Sequence, residues 1–187
     1  MSKTKDKIIE TADELFYKRG FEHTSFAHIA EILNISRGNF YHHFKTKDEI
    51  LEAVINYRIN NTNKMLEKWR IEGKNPSERI RSFINILIMN KSKIKQYGCP
   101  VGTLSSELLK LNHGSLNKAN KLFSLFRIWL QKEFEALGYS DEADNLAMHV
   151  LARSRGIASL SSAFNDDVFI KNEVEILHKW LDSYTKK

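Results

Sequence analysis

The sequence predicts an all-α protein of about nine helices, a small three-helix head at the N-terminus followed by a larger helical body. Three observations carry this. Apolar residues recur at i, i+3 and i+4 through most of the chain, the period of one helical face. Hydroxyl and Asn caps precede several of these runs, and Gly20, Gly73 and Gly138 follow them. The chain has only two prolines and eight glycines in 187 residues, so breaks are few and well defined. A hydrophobic content of 42% suffices for a buried core and argues against disorder.

The elements follow in order. Residues 4–19 form a helix with Ile8, Ile9, Ala12, Leu15 and Phe16 on one face, ended by a C′ glycine at Gly20. Thr24 or Ser25 caps a second helix carrying Phe26, Ile29, Ala30 and Leu33. Asn34-Ile35 makes a tight turn and Ser36 caps a third helix. That helix buries Phe40 and Phe44 and exposes Arg37, Gly38, Asn39, Tyr41 and His42. With Phe16, Phe21 and Ile29, the two phenylalanines make the head's core. Lys3, Lys5 and Lys7 open the first helix, either as a solvated end or as an arm toward a minor groove. Thr46 and Glu49 have capping-box spacing and start a long helix to about Trp69 or Ile71. Gly73-Lys74-Asn75-Pro76 interrupts it. Asn75, Pro76 and Glu78 then open a helix through Ile80, Phe83, Ile84, Leu87 and Ile88. Residues 97–102 read as a bend and Thr103–Leu111 as a short helix. Ser115–Leu137 and Ser140–Phe164 are long helices, the second with small residues over 152–163. Asp166 or Asp167 starts the last helix.

Residues 24–47 are the segment with chemistry to offer. Two helices joined by a three- or four-residue turn form a helix-turn-helix, whose second helix can enter a DNA major groove. Arg37 can pair bidentately with a guanine edge and Asn39 with an adenine edge. Gly38 permits close approach of backbone, while Tyr41, His42 and Lys47 are donors for phosphate oxygens. No acidic residue occurs from Ile32 to Lys47. The competing reading is a small helical hairpin with a solvated basic face. Net charge, +6, permits a polyanionic partner. It does not locate one, because residues 1–47 hold eight Lys/Arg against six Asp/Glu.

The ordered run Ser-Arg-Gly-Asn-Phe-Tyr-His-His-Phe-Lys-Thr-Lys-Asp-Glu-Ile-Leu (36–51) resembles the end of the DNA-binding domain of tetracycline-repressor (TetR/AcrR) family regulators. The resemblance covers about the first 50 residues. It implies that Tyr41 and His42 are placed for phosphate contact and that Lys47 caps the site from the next helix. The segment Gly-Cys-Pro-Val-Gly-Thr-Leu-Ser-Ser-Glu-Leu (98–108) also resembles a pattern of some regulators of this family. The expected DNA-contacting set is Thr24, Ser25, Ser36, Arg37, Gly38, Asn39, Tyr41, His42 and Lys47. The expected division is residues 1–47 for DNA and 48–187 for effector binding and dimerisation.

Such heads gain affinity by dimerising, so that two recognition helices meet successive major grooves. The last two helices are the expected two-fold interface, through Ala152, Gly156, Ser159, Ala163, Leu177, Trp180 and Leu181; packing within one chain is the alternative. A small-molecule pocket is expected around Phe83, Leu87, Asn90, Leu104, Phe123, Phe126, Met148, His149 and Arg153, which combine aromatic walls with a few polar groups. Each of these also fits plain core or surface. The expected function is a homodimeric repressor on an inverted-repeat operator, released by a small-molecule effector. The alternative is an architectural or unregulated DNA binder, for which a 140-residue apolar-lined body has no evident use. Cys99 as a redox sensor is a minor variant, weakened by the lack of a basic sequence neighbour.

Other classes find little support. No Ser-His-Asp, Cys-His or phosphate-cradling glycine pattern is present, so no enzyme is expected. His42 and His43 diverge by about 100° on a helix and do not share a metal readily; no cofactor or metal is expected. No run reaches the roughly 18 apolar residues of a membrane span. One cysteine cannot close an internal disulfide, and the expected compartment is the cytoplasm.

Overall fold

Ten α-helices, and no strand, account for the regular structure among the described residues, 3–185, of this computed structural model. They are α1 (Lys3–Arg19), α2 (Phe26–Leu33), α3 (Arg37–His43), α4 (Lys47–Glu72), α5 (Pro76–Met89), α6 (Lys91–Tyr97), α7 (Pro100–Lys110), α8 (Leu116–Ala136), α9 (Ala143–Phe164) and α10 (Asp167–Ser183). The all-α class is as the sequence indicates. The count rises to ten because α6 separates from α5 at Asn90. This helix of lysines, with Ile94 as its single buried residue and no side-chain cap, has no apolar stripe to announce it.

Local chemistry explains most boundaries. Gly20 ends α1 at φ +88°, a conformation costly for residues with a Cβ. Asn75 caps α5 by accepting from the Glu78 amide at 2.9 Å. Thr46 Oγ1 accepts from the Glu49 amide at 3.1 Å, but the Glu49 carboxylate reaches back to the Lys45 amide rather than to Thr46. The bend expected over 97–102 ends early, since Pro100 already begins α7, a position where its missing N–H costs nothing.

The chain divides into two compact units. The first comprises Met1–Asn61 with Thr103–Leu122, the second Thr62–Gly102 with Phe123–Lys187. In the first unit, α1 packs on α2 and α2 on α3. Its core joins Ile8, Ala12 and Phe16 of α1 to Ile29, Phe40, Phe44 and the Ile50–Ile55 turn of α4. Leu104 and Leu108 of α7 and Ala119 of α8 complete it. Arg58 of α4 pairs with Asp13 of α1. In the second unit, α10 lies against α5 and α9, and α6 against α9. Ile80, Ile84, Leu130, Phe134, Ala147, Val150, Ile170 and Leu181 are fully buried there. Arg79 and Glu133 form a nearly buried ion pair of 2.7 Å between α5 and α8.

Candidate DNA-binding site

The recognition surface is built from short-range rules. Ser25 caps α2 reciprocally with His28: the His28 amide donates to Ser25 Oγ and the Ser25 amide to His28 Nδ1. Asn34 ends α2 in the left-handed region at φ 51°, which Asn tolerates better than most residues. The following Ile35 amide donates back to the Ala30 carbonyl at 3.0 Å and its side chain is half-buried against the head core. Ser36 Oγ then accepts from the Asn39 amide at 3.2 Å and opens α3.

α3 has seven residues and one buried side chain, Phe40. The ring of Phe40 lies 4.8 Å from Phe26 of α2. Everything else on the helix up to His42 faces outward: Arg37, Gly38, Asn39, Tyr41 and His42 are all exposed. The Tyr41 ring is held edge-on against Phe26 at 5.5 Å, so its direction is set by packing. Among the described residues Arg37 pairs with no carboxylate, which leaves its five donors for another partner. A Cβ added to Gly38 would meet nothing closer than Ser36 Oγ at 4.0 Å. The fold itself does not require glycine there, in keeping with a constraint from outside the chain.

Two expected DNA contacts are placed otherwise. Thr24 is 2% exposed and its hydroxyl donates to the Gly20 carbonyl, so it braces the α1–α2 loop and cannot reach a phosphate. Lys47 is half-buried; its ammonium donates to the Glu22 carbonyl at 2.7 Å and sits 4.5 Å over the Phe21 ring. It presents a cation from α4, but one anchored to the head.

The nine effector candidates are not gathered in one place. Phe83, Leu87 and Phe126 are core side chains of the second unit, with the two rings 5.3 Å apart. Phe123 is half-buried beneath the Arg155 guanidinium at 5.3 Å. Leu104 instead belongs to the first unit's core. Asn90 is exposed and its amide donates to the Ile86 carbonyl. Met148 is exposed, His149 stacks on Trp180 at 4.5 Å, and Arg153 pairs with Glu173. Cys99 is half-buried with its Sγ accepting from the Gly102 amide at 3.4 Å.

The expected dimer residues split by helical phase. Ala152, Ser159 and Ala163 are exposed, and Gly156 has open space where a Cβ would go. Leu177 and Leu181 are 2% and 0% exposed in the protomer's own core, which corrects their assignment to an interface. Trp180 is half-buried among Phe134, His149 and Tyr184. Outward apolar residues on these two helices include Leu160, Phe164, Val168 and Ile176. Leu160 and Phe164 continue the phase of Ala152 and Gly156, a signal the sequence does carry.

No group of three or more His, Cys, Asp or Glu that could hold a metal ion occurs among the described residues, and no helix there is long and apolar enough to cross a membrane.

With this geometry in place, comparison with known proteins identifies the head. Residues 8–54, from α1 into α4, match the family model of bacterial regulatory proteins of the tetR family. An HTH-type transcriptional regulator of the lacX 3′ region of Lactococcus lactis subsp. lactis is 27% identical over 182 residues, 93% of this chain and 91% of that protein. The HTH-type transcriptional regulator QacR of Staphylococcus aureus is 38% identical over 68 residues, 36% of this chain and 35% of that protein. Among solved structures, a TetR transcriptional regulator from Legionella pneumophila superposes with a TM-score of 0.84 at 26% identity, covering 98% of this chain and 97% of that one. These relatives are regulators and not enzymes. The head, residues 8–54, is thus that of a tetR-family helix-turn-helix regulator, and over nearly its whole length the chain is similar to DNA-binding transcriptional regulators of that kind.

Proposed function

We propose that the chain is a cytoplasmic repressor that binds an inverted-repeat operator as a homodimer and leaves it when a small-molecule effector binds the body. In this division of labour residues 1–47 read DNA, and 48–187 hold the effector and the dimer surface. The carrying observation is the outer face of α3. Arg37, Asn39, Tyr41 and His42 are exposed together, on a helix with no acidic residue.

Dimerisation is supported by the outward residues Leu160, Phe164 and Ile176, which are 47%, 75% and 49% exposed. Exposed apolar residues grouped on neighbouring helices mark protein contact surfaces. The effector reading is supported by the aromatic pair Phe83 and Phe126 in the second unit's core. Both are packed, so an effector lodged there must part them, and it releases DNA only through its differential affinity for the DNA-free state.

The test is binding by fluorescence anisotropy to a duplex selected from a randomised pool, against random competitor. Arg37→Ala removes a bidentate pair of about 1–3 kcal/mol, roughly 5–150-fold, and relaxes base preference at one position. His42→Ala, which removes an exposed donor for phosphate, weakens binding to all sequences similarly. An absence of preference for any duplex defeats the reading.

A further inference from the structure

We infer that Glu107 of α7 is a positioning residue for DNA binding: its carboxylate clamps Phe21 and Glu22, in the α1–α2 loop from which α2 and the recognition helix hang. The inference rests on α3 being the DNA-reading element.

The geometry is that of a built site. Glu107 Oε2 accepts from the Phe21 amide and Oε1 from the Glu22 amide, each at 2.9 Å. Both oxygens of one carboxylate are thus used on two consecutive backbone N–H groups, 85 and 86 residues away in sequence. Hydrogen bonds to a charged acceptor are about twice as strong as neutral ones. The loop is shaped around the acid. A methyl at Gly20 would lie 2.8 Å from Oε1 and 3.2 Å from Oε2, and Gly20 has φ +88°.

The same dipeptide is held from its other sides. Lys47 donates to the Glu22 carbonyl at 2.7 Å, and the His113 ring lies edge-on to Phe21 at 5.3 Å. With amides, carbonyl and ring all engaged, the loop has little freedom. It ends at Ser25, the cap of α2, and α2 packs directly on α3. A change at Glu107 therefore reaches the recognition helix through the loop, the Ser25 cap and the packing of α2 on α3. Nothing near Glu107 in the sequence requires this role, and the residue itself stands far from any base-reading side chain in the chain.

The test is Glu107→Gln, which keeps the side chain's size but turns an NH₂ toward one of the two amides. Affinity is measured for the duplex that the wild-type chain selects from a randomised pool and for random duplex, with amide exchange followed at Phe21 and Glu22. The expected result is faster exchange at both amides and a loss of about tenfold in affinity for the selected duplex. Random-duplex affinity and helical circular dichroism stay unchanged. A purely stabilising role would not move the ratio of the two affinities. Faster exchange with an unchanged ratio overturns the inference, and so does a lower ratio accompanied by an equal loss of helical signal. Glu107→Ala, which removes the carboxylate altogether, is the second variant and must lower the same ratio. Should Arg37→Ala also leave the ratio unchanged, the fault lies with the reading of α3 and not with the clamp.

Discussion

Truncating Phe40 to alanine should abolish operator binding while leaving the second unit folded. Phe40 is 1% exposed and is the only buried side chain of the seven-residue α3. A Phe→Ala change in a core costs about 3–5 kcal/mol. Losing the ring contacts with Phe26 and Tyr41 is part of that cost. The first unit comprises roughly 80 residues. At about 0.05–0.15 kcal/mol per residue its whole stability is roughly 4–12 kcal/mol. The substitution thus removes a quarter of it at least, and the loss falls where α3 has no other buried side chain. Local opening without global unfolding is the expected consequence. The assay is built in, because the chain's three tryptophans, Trp69, Trp129 and Trp180, all lie in the second unit. Their fluorescence reports that unit alone, while anisotropy of labelled duplex reports α3. The expected outcome is loss of sequence-selective binding with the tryptophan transition shifted by less than a few degrees. A tryptophan transition that collapses with the DNA binding, or DNA binding that survives, refutes the reasoning.

Three further outcomes follow from packing and charge. Glu133→Ala strands the Arg79 guanidinium, whose side chain is only 18% exposed, and should cost about 3–5 kcal/mol. That lowers the tryptophan-monitored midpoint by roughly 10–20 °C, while the Arg79→Met/Glu133→Leu pair recovers most of it. His178 is held below its ordinary value of 6.5, chiefly by burial and then by the Arg81 charge, with Asp182 acting the other way. The folded state therefore binds fewer protons than the unfolded one. Stability of the second unit is full above pH 6.5 and declines as pH falls from there toward the lower folded value; His178→Asn should flatten that slope in urea melts. Phe164→Asp, at a residue 75% exposed, should shift sedimentation toward monomer without lowering the thermal midpoint. Leu181→Ala should do the reverse, since that side chain is wholly buried within one protomer.

The caps, stops and exposed face of α3 are legible in the sequence because each depends on residues within about four positions. Ser25, Ser36 and Asn75 satisfy amides two or three residues on. Gly20 and Asn34 turn the chain because of what their own side chains are. Once α3 exists with Phe40 inward, the outward direction of Arg37, Asn39, Tyr41 and His42 follows from the helical repeat alone.

What tertiary structure alone decided is which of several apolar stripes is covered, and by what. α10 carries Ile170, Val174, Leu177 and Leu181 on one stripe and Val168 and Ile176 on another. Periodicity gives both stripes but does not say that α5 and α9 cover the first. The same holds for the small residues of α9, where Ala158 and Ser161 are enclosed and Ala152 and Ala163 are not. Thr24 turned its hydroxyl inward because Gly20 left a carbonyl within reach. Glu107 met the Phe21 and Glu22 amides from 86 and 85 residues away. Contacts of that separation depend on how helices stack, and no local propensity encodes them.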